Sequence, residues 1–154
     1  MSESTFNLSG GCHCGAVRYT MHAPPLSVQH CHCETCRKTS GSFYVTGGVV
    51  RRDMVEIEGA ENLTKYRASI TFEHQFCRTC GCYLFAYDDD ETNLFYIAIP
   101  TLDGGVDPGH PRDMESHIYM GLRAEWEHVS DTIPHFEKNG PGEIITEIQR
   151  IEAE

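Results

Sequence analysis

The chain has 154 residues, 40% of them hydrophobic and 23% charged, which suits one ordinary globular domain spanning 1–154 and excludes wholesale disorder. Its 12 Lys and Arg stand against 23 Asp and Glu, a formal charge of −11, so no nucleic-acid partner is expected, and no membrane partner either. No stretch is apolar enough for a transmembrane helix and the N-terminus lacks the pattern of an export signal, so a cytoplasmic, reducing setting is expected.

Short runs of Val, Tyr, Phe, Ile and Thr broken by Gly, Asp and Pro dominate the chain and predict a mainly β fold. In chain order the predicted strands are Ala16–Met21, Ser27–Cys31, Phe43–Val50, Val55–Glu58, Leu63–Arg67, Ile70–Cys77, Tyr83–Tyr87 and Leu94–Ile99. Glu34–Ser40 lacks a strand pattern and ends at Gly41, which predicts a helical turn or two. Asp88–Glu91 lacks the spaced carboxylates of a calcium loop and reads as a solvated turn. Thr101–Arg112 is rich in Gly, Asp and Pro and reads as a surface loop. Ser116–Met120 is a further predicted strand, Pro134–Gly142 a turn, and Glu143–Glu154 a short helix with Ile144, Ile148 and Ile151 on one stripe.

The eight cysteines fall into three clusters, Cys12-His-Cys14, Cys31-His-Cys33-Glu-Thr-Cys36 and Cys77-Arg-Thr-Cys80-Gly-Cys82. In a reducing compartment such spacing points to metal ligands rather than disulfides. Alternate residues of an extended segment share a face, so Cys12 with Cys14, and Cys31 with Cys33, can each reach one ion, while His13 and His32 between them point away. Cys77 and Cys80 with Gly81 make one half of a zinc ribbon. Soft thiolates at tetrahedral spacing favour zinc over iron. Eight cysteines permit two closed sites, or one closed and one open, and spacing alone does not divide them.

The runs Gly10–Tyr19, Cys31–Gly41 and Phe76–Gly81 resemble, in order, spacing and flanks, the glutathione-dependent formaldehyde-activating enzyme (Gfa) family. Ser116-His-Ile, Trp126 and Ile133–Phe136 extend the likeness, so that it covers roughly residues 8–137, with 138–154 left as a tail. The resemblance implies a fold of several coiled, mostly antiparallel β-sheets pinned by zinc, with short helical turns. It implies a structural zinc on Cys12, Cys14, Cys77 and Cys80. It implies a second, catalytic and more labile zinc on Cys31, Cys33 and Cys36 with an exchangeable fourth position. The expected activity is that of a carbon–sulfur lyase joining glutathione and formaldehyde to S-(hydroxymethyl)glutathione. Cys82 departs from the family pattern, as a buried thiol or as a further sulfur near either metal.

Glutathione is anionic and the chain is acidic, so local cations are required. Arg37 and Lys38 follow the middle cluster directly, Arg18, Arg51, Arg52 and Arg67 are further candidates, and Gly41 offers flexible backbone beside it. His30, His74 and His117 are candidate acid–base groups. A family member acting on another thiol, or a non-catalytic zinc module that binds a protein, are the competing readings.

Overall fold

The computed structural model describes residues 6–139. The fold is mainly β, with ten strands and one α-helix among the described residues, joined by short 3-10 turns. No helix among them is long and apolar enough to cross a membrane. The Glu143–Glu154 helix expected from the sequence lies outside the described residues.

The strands are β1 Leu8–Gly11, β2 Arg18–Met21, β3 Ser27–Cys31, β4 Val45–Arg51, β5 Val55–Glu58, β6 Leu63–Arg67, β7 Phe72–Cys77, β8 Tyr83–Asp88, β9 Leu94–Ala98 and β10 Glu115–Ile118; the helix α1 is Glu34–Ser40. They form two compact units. One comprises the residues up to Pro25 and Val49–Gly109; the other comprises Leu26–Gly48 and the residues from His110 onward. β4 passes from the second into the first.

In the first unit β1, β2 and β5 form an antiparallel sheet. A second antiparallel series runs β6–β7–β8–β9. Strand residues alternate across a sheet, so one face of each strand is free to enter a core. That core contains Val17, Tyr19, Met21, Val50, Leu84, Phe85, Phe95, Ile97 and Leu102, together with Cys12 and Cys77. Fully burying a side chain such as Met21, Leu84, Phe85 or Ile97 contributes roughly 1.5–3 kcal/mol each, and all four are fully enclosed. Tyr19 and Phe85 meet edge to face at 5.7 Å, and Tyr87 stacks on Phe95 at 5.0 Å.

β1 was not among the strands predicted from sequence. Its residues are Leu-Ser-Gly-Gly, with no β-branched or aromatic side chain to mark it. The glycines are there for proximity: Gly10 pairs with Tyr19, and a Cβ at Gly10 would collide with the Tyr19 ring and the Thr101 carbonyl. Tyr19 Oη completes the arrangement by hydrogen bonding Thr101 Oγ1 at 2.8 Å. The loop expected over Thr101–Arg112 is thereby tied to the core, with Leu102 buried beneath it.

In the second unit β10 lies parallel to β3, with His117 in register with His30. The helix predicted at Glu34–Ser40 is present with its predicted stop: the Gly41 amide donates to the Arg37 carbonyl. At its start the Cys33 sulfur accepts from the Cys36 amide at 3.3 Å, so a candidate metal ligand is also the N-cap. Asp88–Glu91 is a turn as expected, closed by Asp88 Oδ1 accepting from the Asp90 amide at 3.0 Å.

Candidate metal centres and their surroundings

Four sulfurs of the first unit, those of Cys12, Cys14, Cys77 and Cys80, lie within 4.8 Å of one another. Two tight turns present them. In the first, the Cys12 amide donates to the Val17 carbonyl at 3.0 Å, and the Val17 amide donates to Cys12 Sγ at 3.3 Å. In the second, the amides of Thr79 and Cys80 point at Cys77 Sγ, 3.4 and 3.5 Å away, and Gly81 at φ 76° closes the turn by donating to the Cys77 carbonyl at 2.8 Å. The pairing of β7 with β8 shifts register between Gln75 and Phe76, just before this turn, with Leu84 of β8 as the extra residue. Cys12 and Cys77 are buried at the edge of the core, whereas Cys14 and Cys80 are exposed.

The donor set fits zinc. Four thiolates about 2.3 Å from one ion at tetrahedral angles stand roughly 3.8 Å apart, and Cys14 Sγ lies 3.6 Å from both Cys12 Sγ and Cys77 Sγ. The electrostatics agree with a cation-ready cluster. Backbone amides of Cys14 and Cys82 draw the Cys80 thiol down to about 6, and the Cys80 amide lowers Cys77. Cys14 is pushed up to about 12, because desolvation and the crowd of neighbouring sulfurs outweigh the Ala16 amide. Amides favour the first negative charge and crowding opposes the next, a balance that a bound cation reverses.

Cys82 stands outside this group. It packs against the core, donates weakly to the Tyr83 carbonyl at 3.5 Å, and has its thiol pushed up mainly by desolvation. The structure therefore gives it the place of a partly buried thiol.

The second unit gathers Cys31, Cys33 and Cys36, again with sulfurs within 4.8 Å of one another. Here all three come from the end of β3 and the first turn of α1. Hydrogen bonds from Cys31 and Cys36, joined by the amides of Cys36 and Thr35, hold the Cys33 thiol down to about 2. Cys33 in turn pushes Cys31 up to about 11, and Cys31 and Cys33 together raise Cys36 far above the ordinary thiol range. All three are half-buried rather than sealed. Three soft donors at this spacing fit zinc with a further position for another ligand.

Of the residues expected to bind substrate, Arg37 is half-buried and its Nε is enclosed with no hydrogen-bond partner among the described residues. Lys38 is exposed and pairs across one helical turn with Glu34 at 3.5 Å. Gly41 is exposed at the helix end. Three of the more distant candidate cations are engaged within the first unit: Arg18 by Asp103, Arg67 by Asp89 at 2.6 Å, and Arg52 by the Leu94 carbonyl at 3.1 Å and the Tyr87 ring. Arg51 lies 3.9 Å from Asp53.

His13 is exposed and His32 fully buried, and neither belongs to a sulfur group. His32 instead begins a polar chain that sequence reading did not find. Its Nδ1 faces Glu127 Oε2 at 2.9 Å, its Nε2 faces His117 Nδ1 at 2.8 Å, and His117 Nε2 faces Asp131 Oδ2 at 2.9 Å. His30 lies beside them, 2.8 Å from Thr46 Oγ1 and 2.9 Å from Glu115 Oε2, whose other oxygen is 2.6 Å from His110. Burial alone would raise the Glu115 carboxyl, but hydrogen bonds from His30 and His110 hold it below its ordinary value. One signal was available: His30 and His32 alternate with Cys31 and Cys33 where β3 runs into α1, which in an extended segment puts them on the opposite face. Glu127 and Asp131, 95 and 14 residues from their histidine partners, carried no local signal.

A family model described as glutathione-dependent formaldehyde-activating enzyme matches residues 7–121, a stretch that takes in all three cysteine clusters. The chain belongs to this family. A Halomonas elongata protein provisionally named a glutathione-dependent formaldehyde-activating enzyme is 31% identical over 127 residues, 77% of this chain and 78% of its own length. An uncharacterized lyase of Schizosaccharomyces pombe is 35% identical over 92 residues, 58% of this chain and 64% of that one. A crystal structure of a Rhodobacter sphaeroides protein superposes with a TM-score of 0.53 at 30% identity, covering 66% of this chain and 92% of that chain. The Gfa family model ends at residue 121, short of Glu127, Asp131 and His135.

Proposed function

We propose that this Gfa-family chain is a zinc-dependent carbon–sulfur lyase acting on thiol–aldehyde adducts, with glutathione and formaldehyde as its substrates and S-(hydroxymethyl)glutathione as the adduct. The single observation that carries the reading is the half-buried three-sulfur group of Cys31, Cys33 and Cys36, which has one donor fewer than the four-sulfur group. Cys12, Cys14, Cys77 and Cys80 hold the structural zinc in this reading, and the three hold the catalytic one, giving two per chain.

The reaction needs no redox partner. A thiol adds to the aldehyde carbon, the carbon–sulfur bond forms, the carbonyl π pair moves to oxygen, and that oxygen takes the proton the thiol gave up. When bound, zinc supplies a soft electrophilic centre that favours the thiolate form of an incoming thiol. The chain's own residues do the rest. The three sulfurs fix the ion at the start of α1, and Cys33 orients that start through its cap to the Cys36 amide. Arg37, one residue from Cys36 and with an enclosed Nε, is the cation best suited to a carboxylate of glutathione. Lys38 contributes less, since its ammonium is exposed and paired with Glu34. Of the candidate acid–base histidines, His30 and His117 share the second unit with the three sulfurs, whereas His74 is on β7 of the first. The family match runs through both units, which supports treating them as parts of a single Gfa-like domain.

NMR exchange spectroscopy of glutathione with formaldehyde tests the assignment. Zinc-loaded protein is expected to accelerate interconversion of free and hydroxymethylated glutathione, and to do so less with a thiol that lacks the carboxylates. Interconversion at the rate of the protein-free mixture would remove the assignment.

A further inference from the structure

The chain of polar groups that begins at His32 runs from a buried carboxylate, Glu127, to an exposed one, Asp131. Three links join Glu127, His32, His117 and Asp131, at 2.9, 2.8 and 2.9 Å. Each link needs one proton between its two heavy atoms. If His32 Nδ1–H donates to Glu127 and His117 Nδ1–H donates to His32 Nε2, then His117 Nε2 presents a lone pair to Asp131 Oδ2. That outer end is completed either by a proton or by a metal ion.

The surroundings of that end distinguish the two. A proton needs only the pair of atoms it bridges, whereas a metal needs several donors converging on one point. A third donor is present: His135 Nε2 lies 3.7 Å from the other Asp131 oxygen, and one ligand atom each from His117, Asp131 and His135 fall within 4.8 Å of one another. The backbone places it there. The His117 amide donates to the Pro134 carbonyl at 2.8 Å and the Phe136 amide donates to the His117 carbonyl at 2.9 Å, so His135 runs alongside His117 as a parallel bridge. Asp131 is fixed by the Ile133 amide, which donates to Oδ1 at 3.0 Å. Nitrogen and oxygen ligands roughly 2.0–2.2 Å from one ion at tetrahedral angles stand about 3.3–3.5 Å apart, and the two separations, one to each Asp131 oxygen, fall on either side of that value.

We propose that His117, Asp131 and His135 form a third, sulfur-free metal site for a borderline divalent cation such as Zn²⁺, with His32 and Glu127 as its positioning residues. Two histidines and one carboxylate suit first-row divalent ions and leave further coordination positions open. The inner end of the chain has the form that orients a metal-bound histidine: its other ring nitrogen is held by a hydrogen bond that leads back to a buried carboxylate. His32 and Glu127 are buried, while Asp131 and His135 are exposed, so the site is anchored from inside and reached from outside. A cavity of about 330 Å³ lies on one side of this group, lined in part by Glu127, Arg123 and His135.

Equilibrium dialysis of the full chain against zinc, with the metal counted per chain, tests the site independently of any enzymatic activity. His135→Ala and Asp131→Asn are each expected to bind one zinc fewer than the unaltered chain, and Glu127→Gln to weaken that same equivalent by about 10–100-fold. An unchanged zinc count in both His135→Ala and Asp131→Asn overturns the proposal. Cobalt titration of the same protein gives a second readout, because thiolate ligands produce intense near-ultraviolet charge-transfer bands and imidazole and carboxylate do not. The equivalent lost in the two variants is expected to add no such band; if it carries one, the ion sits on cysteine and the proposal fails.

Discussion

The four-sulfur and three-sulfur groups use the same donor and teach opposite lessons about what a metal can be for. In the first, Cys14 and Cys77 approach within 3.6 Å from positions 63 residues apart, and two of the four ligands are part of the hydrophobic core. An ion there ties together segments far apart in sequence and stabilises the fold, because the unfolded chain offers no such site. In the second, the ligands span Cys31 to Cys36, none is buried, and helix and strand geometry already bring them together. An ion there closes almost no loop, so it adds less to the stability of the fold. Charge is handled differently too: backbone amides lead in lowering Cys80 and Cys77, whereas neighbouring thiols lead in lowering Cys33.

Substitutions should separate the two groups sharply. Cys77→Ser is expected to have the largest effect, removing a fully buried ligand and costing about 3–5 kcal/mol, or roughly 6–20 °C in Tm, with loss of the four-sulfur zinc. Thermal melting with metal counting checks it, and a Tm within about 2 °C of the unaltered chain would break the contrast. Gly10→Val tests the frame around that group without touching a ligand. The added side chain meets Tyr19 and Thr101, and a loss of about 1–3 kcal/mol is expected in denaturant unfolding.

Within the three-sulfur group the expected costs are smaller and unequal. Cys33→Ala removes both a ligand and the cap of α1, and should be less stable than Cys36→Ala by about 0.5–2 kcal/mol, measured in the presence of a chelator so that metal does not contribute. Equal stabilities would mean that the Cys33 cap contributes nothing.

The smallest effect concerns Arg18 and Asp103. The Arg18 hydrogen bonds hold the Asp103 carboxyl below its ordinary 3.8. A depressed folded value means that the stabilisation is full above the ordinary value and is lost as pH falls through the depressed one. Both side chains are substantially exposed, so solvent and salt screen the pair. Asp103→Asn should therefore lower Tm slightly at neutral pH and low salt, and the difference should vanish in acid.

The parts of this molecule legible in its sequence are those set by local spacing. Eight strands from β2 to β9, rich in β-branched and aromatic residues, and the helix ended by Gly41 could all be read this way. β10 was also anticipated, starting one residue late. β1 was hidden because Gly10 serves the close approach of Tyr19 rather than a strand propensity. The sulfur clusters were legible as metal ligands, since two-residue and three-residue spacings already restrict where side chains point. Joining Cys12 and Cys14 to Cys77 and Cys80 rested on family resemblance, because spacing says nothing about contacts 63 residues apart. The Glu127–His32–His117–Asp131 chain lay out of reach for the same reason: single carboxylates on irregular segments look like solvated surface until the fold buries one of them.

Native mass spectrometry of zinc-loaded Cys36→Ser separates the two sulfur groups, because one spectrum reports both the metal count and the compactness of the chain. One zinc fewer than in the unaltered protein is expected, with the narrow, low charge-state distribution of a folded chain. An unchanged zinc count, or the broad high-charge distribution of an unfolded chain, would contradict the division between a metal group that holds the fold and one left free for chemistry.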